Sequence, residues 1–533
     1  MALPASLEGW VWDVQWFPDG GKLLVTTVGA GGEADLWAVP ALGEGSPQLL
    51  YRNAVMPAIS PDGRSVAFTG LLLPSPGFQG IFVGDADGGS ARKLVPARAK
   101  QDVYSPTWSP DGRWIAYLKA ARTEGFDHDL VVEVQPSGGG VARTLVAGAD
   151  LPRSSSICCV YAGAAELAWS PDWHLVFSAS RHSAAPAGLT NEKYSLWEVP
   201  VDPRTGEAAG KPKQRAEWAD YFPFEPAFSA DGKQLSFLKK RYWDDVYLAK
   251  LKPGDNGLEQ PRRFTLDNRG VASFGSWTLD SHAILFSAFR GGRIQIFQQG
   301  LGRSSPEPLV EAQDNVARGV PTPDGGWMLY REFARLAPNR ATYSLMRRPV
   351  GGGTPQKVAE LPSDADFWCA EKPGGGCVMS QREGNDIVFY TLDPMRGKGK
   401  LLGKIEASPS GTIWSWQLSP DGSRVAVAGL NKFPRRIEVL TLFSGKWQEI
   451  SVEPGWGDLQ TVAWTADGKG FFVTSWLPDS FNLLHVSPDG KATPLIRNGH
   501  RQFMSTPLPS PDGKYLAYRA LTWDSNVWLI PNF

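Results

Sequence analysis

The chain has 533 residues, of which 42% are hydrophobic and 20% charged, and its formal net charge is −1. This composition excludes a disordered chain, and the lack of a basic excess argues against nucleic acid as a partner of this chain. With 58 Gly, 43 Pro and 22 Trp, frequent turns and large flat side chains indicate all-β structure. No stretch is long and apolar enough for a membrane span, and no signal peptide is visible at the start.

A four-residue turn of the type Ser-Pro-Asp-Gly recurs along the chain. Its units lie about 45 to 60 residues apart, which is the period of a propeller blade. One interval is about twice as long and contains a unit that has lost the turn, between Trp368 and Cys377. The recurring acid is Asp19, Asp62, Asp111, Asp172, Asp231, Asp280, Asp324, Asp421, Asp467 and Asp512.

Each unit follows the same order of predicted elements. An apolar strand ends at the turn, an alternating strand such as Trp114–Tyr117 follows, and third and fourth strands come after it. The fold class is therefore all-β, a β-propeller with about eleven four-stranded blades in two rings. One partition places six blades in 1–311 and five in 312–533. In the alternative, the first and last blades share one ring around an inserted ring.

The turn followed by a strand of the Ile-Ala-Phe type resembles the TolB-type, WD-repeat-like bacterial propellers. The ending Ser525–Phe533, the segment Pro261–Asp267 and the Cys369/Cys377 pair resemble the propeller half of large membrane-spanning bacterial Ser/Thr kinases and winged-helix regulators. The resemblance implies a sensory or docking half outside the cytoplasm, tethered to a kinase or regulator domain. Kinase motifs are absent from this sequence.

The sequence contains no nucleophile elbow, phosphate-binding loop or HExxH motif. We therefore expect a non-catalytic binding module for a protein or a small ligand, with no metal and no cofactor. Two alternatives stay open. One is a TolB-like periplasmic scaffold protein, and the other is a propeller enzyme, a lyase or glycosidase, that uses the central funnel.

Binding residues are expected on the face that carries the long loops, because long loops on a rigid scaffold concentrate binding function. The longest of them belong to the third to fifth blades. The candidates are Arg122, His128, Arg153, Tyr161, Arg181, His182 and Tyr194, joined by Arg241 and Tyr242 from the fifth blade.

Cys369 and Cys377 flank the unit that has lost its turn. If they occupy facing positions of a hairpin, their Cβ atoms are close enough to form a disulfide. We predict this bond for a chain that lives outside the cytoplasm. The last residue of each turn is expected at positive φ, which favours glycine.

Overall fold

A computed structural model describes residues 10–29, 33–41, 45–71, 78–98, 101–121, 130–151, 155–157, 167–181, 193–219, 221–252, 257–265, 271–290, 293–333, 342–406, 415–429, 435–477, 480–498 and 502–531. Within these ranges the regular structure is strand, apart from a single 3₁₀ turn at Gly148–Asp150. No helix in the described part of the chain is long and apolar enough to cross a membrane.

The chain divides into two compact units. Unit 1 contains 1–183, 191–241 and 524–533, and unit 2 contains 184–190 and 242–523. The boundary predicted after residue 311 therefore falls inside unit 2. The blades on either side of that position pack together: Ser276 donates a hydrogen bond to the carbonyl of Gly319 at 2.9 Å.

Unit 1 is built from consecutive antiparallel sheets. The strands that begin in this unit are β1 (Trp10–Trp16), β2 (Lys22–Val28), β3 (Ala34–Pro40), β4 (Gln48–Arg52), β5 (Ala54–Ile59), β6 (Ser65–Leu71), β7 (Phe78–Asp85), β8 (Ala91–Pro96), β9 (Gln101–Trp108), β10 (Trp114–Ala121), β11 (Leu130–Pro136), β12 (Arg143–Val146), β13 (Ser155–Ile157), β14 (Leu167–Trp169), β15 (His174–Arg181), β16 (Lys193–Pro200), β17 (Lys213–Ala219), β18 (Phe222–Phe228) and β19 (Gln234–Lys250).

The remaining strands begin in unit 2. They are β20 (Arg262–Arg263), β21 (Val271–Trp277), β22 (Ala283–Arg290), β23 (Arg293–Gly300), β24 (Glu307–Val310), β25 (Asn315–Pro321), β26 (Trp327–Phe333), β27 (Thr342–Pro349), β28 (Gln356–Pro362), β29 (Asp366–Cys369), β30 (Cys377–Glu383), β31 (Asp386–Asp393), β32 (Gly397–Glu406), β33 (Ser415–Leu418), β34 (Arg424–Ala428), β35 (Arg436–Thr441), β36 (Lys446–Ser451), β37 (Asp458–Trp464), β38 (Phe471–Leu477), β39 (Ser480–Val486), β40 (Ala492–Asn498), β41 (Gln502–Pro509) and β42 (Tyr515–Pro531).

The sheets follow chain order, as in a β-propeller. The first three blades are β1–β4, β5–β8 and β9–β12, and the fourth is β13–β17. The seventh to eleventh blades are β21–β24, β25–β28, β29–β32, β33–β36 and β37–β40. This pattern confirms an all-β fold of about eleven blades.

The strands β19 and β42 are each 17 residues long, and each belongs to two blades. The fifth blade combines β18, the first half of β19 and the second half of β42. The sixth blade combines β41, the first half of β42, the second half of β19 and β20. Unit 1 thus has five blades and unit 2 has six.

Unit 2 joins its last blade to its first. Met504, Leu516 and Tyr518 of the sixth blade share an apolar cluster with Phe472 and Leu483 of the eleventh. On the other side of the sixth blade, the Trp277 indole donates a hydrogen bond to the carbonyl of Leu508 at 3.0 Å. Buried contacts therefore join the sixth blade to the eleventh on one side and to the seventh on the other.

The recurring turns join the first and second strands of every blade except the ninth. The Ser109 hydroxyl donates to Asp111 Oδ1 at 2.8 Å, and the Arg113 amide donates to the same oxygen at 3.0 Å. The turn glycine has positive φ, 71° at Gly112 and 75° at Gly422, as predicted. These aspartates therefore hold the turn, which is a structural role.

The innermost strands of several blades contain a bulge that turns one residue to positive φ. The bulge residues are Met56, Ser105, Glu225 and Arg318, with φ between 50° and 60°, and each lies at a shift in strand register. Proline follows the first three and Gly319 follows Arg318. The left-handed bulge is therefore a repeated feature of the scaffold, and each of these four blades places a different side chain at this position.

Cys369 and Cys377 lie directly opposite each other on β29 and β30. Their Cα atoms are 3.9 Å apart and a disulfide joins them. The bond closes the hairpin of the ninth blade, in which the Ser-Pro-Asp-Gly turn is missing.

Candidate functional site

Most of the binding residues predicted from the long loops lie outside the described residues. These are Arg122, His128, Arg153, Tyr161 and His182. For Arg181 and Tyr242 the backbone is described, at the end of β15 and within β19 respectively, but the side chains are not. The predicted binding face over the third to fifth blades therefore stays a prediction.

Tyr194 lies in the core, although it was expected on an accessible loop. Its side chain is 2% exposed, and its ring centroid lies 3.7 Å from that of Phe222. Tyr194 belongs to β16, opposite Ser180 and Trp218 on the neighbouring strands. The ring therefore packs between the fourth and fifth blades and is not available to a ligand.

Arg241 contributes to a basic and aromatic surface that we call the fifth-blade patch. It comprises Tyr221, Lys239, Arg241 and Trp528. The Lys239 ammonium lies 4.2 Å from the ring centroid of Tyr221 and 3.9 Å from that of Trp528. The Arg241 guanidinium lies 5.6 Å from the Tyr221 ring. Two cationic side chains thus share one aromatic surface.

The strand pairing explains why these residues meet. Side chains two apart on a strand share a face, so Lys239 and Arg241 of β19 point the same way. Because β42 is the neighbour of β19 in the sheet, its second half brings Trp528 beside Lys239. The intervening Lys240 lies instead 4.9 Å from the Phe224 ring.

The Lys239 charge of the fifth-blade patch is open to a ligand. Within the described part of unit 1, Lys239 forms no ion pair, and Trp528 is 47% exposed. An ammonium between two ring faces is held in place without losing its capacity to attract an anion. The patch can therefore take an acidic group beside an exposed aromatic ring.

Of this patch, the sequence analysis named Arg241 as a binding candidate but missed Tyr221 and Trp528. Trp528 occupies the third-strand position that Trp37 and Trp197 occupy in other blades, so the sequence alone does not distinguish it from them.

A second group of polar residues lies on the innermost strands of unit 1. Burial and the nearby Glu225 carboxylate raise the pKa of Asp13 to about 7. Asp13 Oδ2 is buried and has no hydrogen-bond partner among the described residues. Glu225 occupies the fifth-blade bulge with φ of 51°. Because the two carboxylates interact electrostatically, we call Asp13 and Glu225 the acidic pair of unit 1.

A groove of about 770 Å³ lies between the second and third blades, on the side of the recurring turns. Asp62, Arg92, Trp108 and Asp111 line it. Both aspartates already hold their turns through serine hydroxyls, at 2.6 and 2.8 Å. The groove is therefore lined by groups that the fold itself uses.

Comparisons with known proteins found relatives that each share part of their length with this chain. The chain is 31% identical over 130 residues to an uncharacterized protein of Agrobacterium fabrum, which covers 24% of this chain and 40% of that protein. It is 24% identical over 524 residues to tricorn protease homolog 1 of Streptomyces coelicolor, over 91% of this chain and 43% of that protein. The chain thus spans less than half the length of these relatives. No model of a known protein family matches it.

Two solved structures are similar in fold. The crystal structure of the tricorn protease matches 95% of this chain and 50% of its own, with 13% identity and a TM-score of 0.30. A putative TolB from Agrobacterium tumefaciens matches 66% of this chain and 82% of its own, with 14% identity and a TM-score of 0.21. No description of these proteins names a kinase or a winged-helix regulator, so that part of the resemblance stays a prediction.

The strand order and the recurring turns define the class of this protein. It is a β-propeller protein.

Proposed function

We propose that the chain is a non-catalytic binding module that captures an acidic protein segment or a small acidic ligand. The fifth-blade patch carries this proposal, because Lys239 lies against Tyr221 and Trp528 and has no ion pair within the described residues, and because Arg241 lies against the same Tyr221 ring. A cation fixed on aromatic rings favours a ligand that combines negative charge with an apolar group.

The proposal extends to the role suggested by the sequence, the sensory or docking half of a bacterial signalling protein joined to a kinase or regulator domain. A location outside the cytoplasm belongs to it, and the Cys369–Cys377 disulfide supports that location because such bonds persist in oxidising compartments. A TolB-like periplasmic scaffold is the second candidate, favoured by the TolB-like fold neighbours.

Binding of defined peptides tests the proposal. The probe is a fluorescent decapeptide rich in Glu and containing one Trp, compared with its Gln-substituted counterpart by anisotropy in 0.05 and 0.15 M salt. We expect the acidic peptide to bind and the neutral peptide to bind at least ten-fold more weakly. Lys239→Glu combined with Arg241→Glu should abolish binding.

A matched control comes from the same blade. Lys233 is exposed in the turn between β18 and β19, where its amide donates to Asp231 Oδ1 at 3.1 Å. Lys233→Glu changes the net charge at the other end of the blade and should leave binding unchanged. Equal affinity for both peptides, or equal loss with Lys233→Glu, would contradict a specific site at the patch.

A further inference from the structure

Unit 2 contains a cluster of two arginines and one aspartate where the eighth and ninth blades meet. Arg318 is the bulge residue of β25, Arg331 lies near the end of β26, and Asp366 begins β29. The bulge gives Arg318 a φ of 60°. This left-handed residue directs its side chain toward the neighbouring inner strand, where Asp366 lies.

The hydrogen bonds of this cluster converge on one carboxylate oxygen. Asp366 Oδ1 lies 2.9 Å from Arg318 Nε and also binds Arg331 Nη2, and it accepts the Phe367 amide at 2.9 Å. Two carbonyls accept further hydrogen bonds, that of Phe367 from Arg318 Nη2 at 3.2 Å and that of Ala365 from Arg331 Nη2 at 2.9 Å.

The cluster carries an excess positive charge, because two guanidinium groups share one carboxylate. The side chains of Arg318 and Arg331 are only 16% and 23% exposed. Burial lowers the pKa of Arg318, and the neighbouring Arg331 lowers it further, against the attraction of Asp366. A partly buried charge without a full set of counter-charges is costly, and a bound anion would remove that cost.

Donors remain for such an anion. Arg318 Nη1 and the buried Arg331 Nε have no hydrogen-bond partner among the described residues, whereas another part of the Arg331 guanidinium interacts with the Tyr343 hydroxyl. Two rings fix the guanidinium groups, since Arg318 lies 4.3 Å from the Trp368 centroid and Arg331 lies 4.8 Å from that of Tyr343. The donors are therefore held in place before any ligand arrives.

We propose that Arg318 and Arg331 form a binding site for a carboxylate, supplied by a small organic acid or by the C-terminus of a peptide. The planar fork of a guanidinium matches the two oxygens of a carboxylate. The site lies in unit 2, apart from the fifth-blade patch, and it does not depend on the function proposed above.

Calorimetric titration of the full chain tests this site. The probes are succinate, a tripeptide with a free C-terminus, the same tripeptide with an amidated C-terminus, and inorganic phosphate. Saturable binding of succinate alone identifies a small acid as the source. Binding of the free tripeptide together with loss on amidation identifies a peptide terminus. Binding of phosphate alone, or of none of the probes, overturns the proposal.

Three variants separate binding from structural support. Arg331→Lys keeps the charge but loses the fork, and should weaken carboxylate binding about ten-fold. Asp366→Asn removes the competing carboxylate and should tighten binding about five-fold, whereas a purely structural cluster would show no such gain. The control is Arg347→Gln, since Arg347 is a surface arginine of the same blade that binds Gln356. Affinity that is unchanged in both Arg331→Lys and Asp366→Asn would overturn the site.

Discussion

The same backbone bulge carries opposite charge in the two units. In unit 1 the fifth-blade bulge places Glu225 near Asp13, and in unit 2 the eighth-blade bulge places Arg318 on Asp366 and beside Arg331. The strand geometry is shared, since both bulge residues lie opposite an aromatic residue on the second strand, Phe237 and Tyr330. The bulge therefore fixes the backbone position of this residue, and the type of its side chain decides whether the position carries a negative or a positive charge.

The largest effect is expected from reversing the charge at Arg318. Arg318→Glu would place a second carboxylate against Asp366 and leave Arg331 as the one cation of the cluster. We expect a loss of about 4 kcal/mol in the free energy of unfolding, the range for breaking a buried ion pair. Hydrogen exchange at the amides of β25 and β29 measures this locally, which is needed because two units need not unfold together.

The matched control for this reversal is Arg318→Met, which copies the residue at the second-blade bulge, Met56. It removes the cation without adding an anion, so its cost should lie clearly below that of Arg318→Glu. If the two variants were equally stable, charge would not be what distinguishes the two units.

The recurring turns provide a second comparison, between glycines that share φ but differ in surroundings. An added Cβ at Gly112 would meet only Pro61, at 3.7 Å, whereas at Gly422 it would meet Ala370 at 3.0 Å and the Gly376 amide at 3.1 Å. Gly112→Val should therefore cost about 1 kcal/mol from positive φ alone. Gly422→Val should cost about 3 kcal/mol because strain and overpacking add. Thermal unfolding checks the order, and equal melting temperatures would contradict it.

The covalent hairpin of the ninth blade replaces the turn that the other blades use. Changing Cys369 and Cys377 together to Ser should lower the free energy of unfolding by roughly 2 kcal/mol, the chain-entropy value for so short a loop. Reduced wild-type protein is the control and should unfold like the double variant. If oxidised wild-type protein had the same free energy of unfolding as the reduced protein and the double variant, the disulfide would not stabilise the hairpin.

The sequence predicted the repeating architecture but little of the candidate sites. Period, turn and alternation are local signals, so each blade and the positive φ of Gly112 followed directly from residues close in the chain. The pairing of β19 with β42 joins strands almost 300 residues apart, and no local pattern carries it. For this reason Trp528 was not among the predicted binding residues. Tyr194 was misplaced for a local reason, because the first residues of β16 were counted as loop.

Charge clusters were missed for a related physical reason. Arg318, Arg331 and Asp366 lie on three different strands, and only the stacking of adjacent blades brings them together. A bulge moves its residue out of the strand's simple alternation, so counting by two misplaces the side chain at Arg318 and at Glu225. An arginine or glutamate before Pro or Gly in an innermost strand is the signal that could have been used.

The smallest effect is expected from Asp13, where the acidic pair of unit 1 is tested by pH. Burial and Glu225 raise the pKa of Asp13 to about 7, above the value of about 3.9 expected in the unfolded chain. The folded state therefore holds a proton that the unfolded state has released, and stability is lost as the pH rises from about 4 to about 7. Asp13→Asn removes this loss. At pH 8 we expect the free energy of unfolding of the variant to exceed that of wild type by on the order of 1 kcal/mol after allowance for solvent screening. At pH 4.5 the two values should be nearly equal.

Glu225→Gln is the companion variant and should recover a smaller part of the same difference, because burial contributes more than Glu225 to the raised pKa of Asp13. Urea unfolding of unit 1, followed by hydrogen exchange in β1 and β18 at both pH values, measures the difference. A gain of the same size at pH 4.5 as at pH 8 would mean that Asn improves packing at this position, and the acidic pair would then not be the feature that sets unit 1 apart from unit 2.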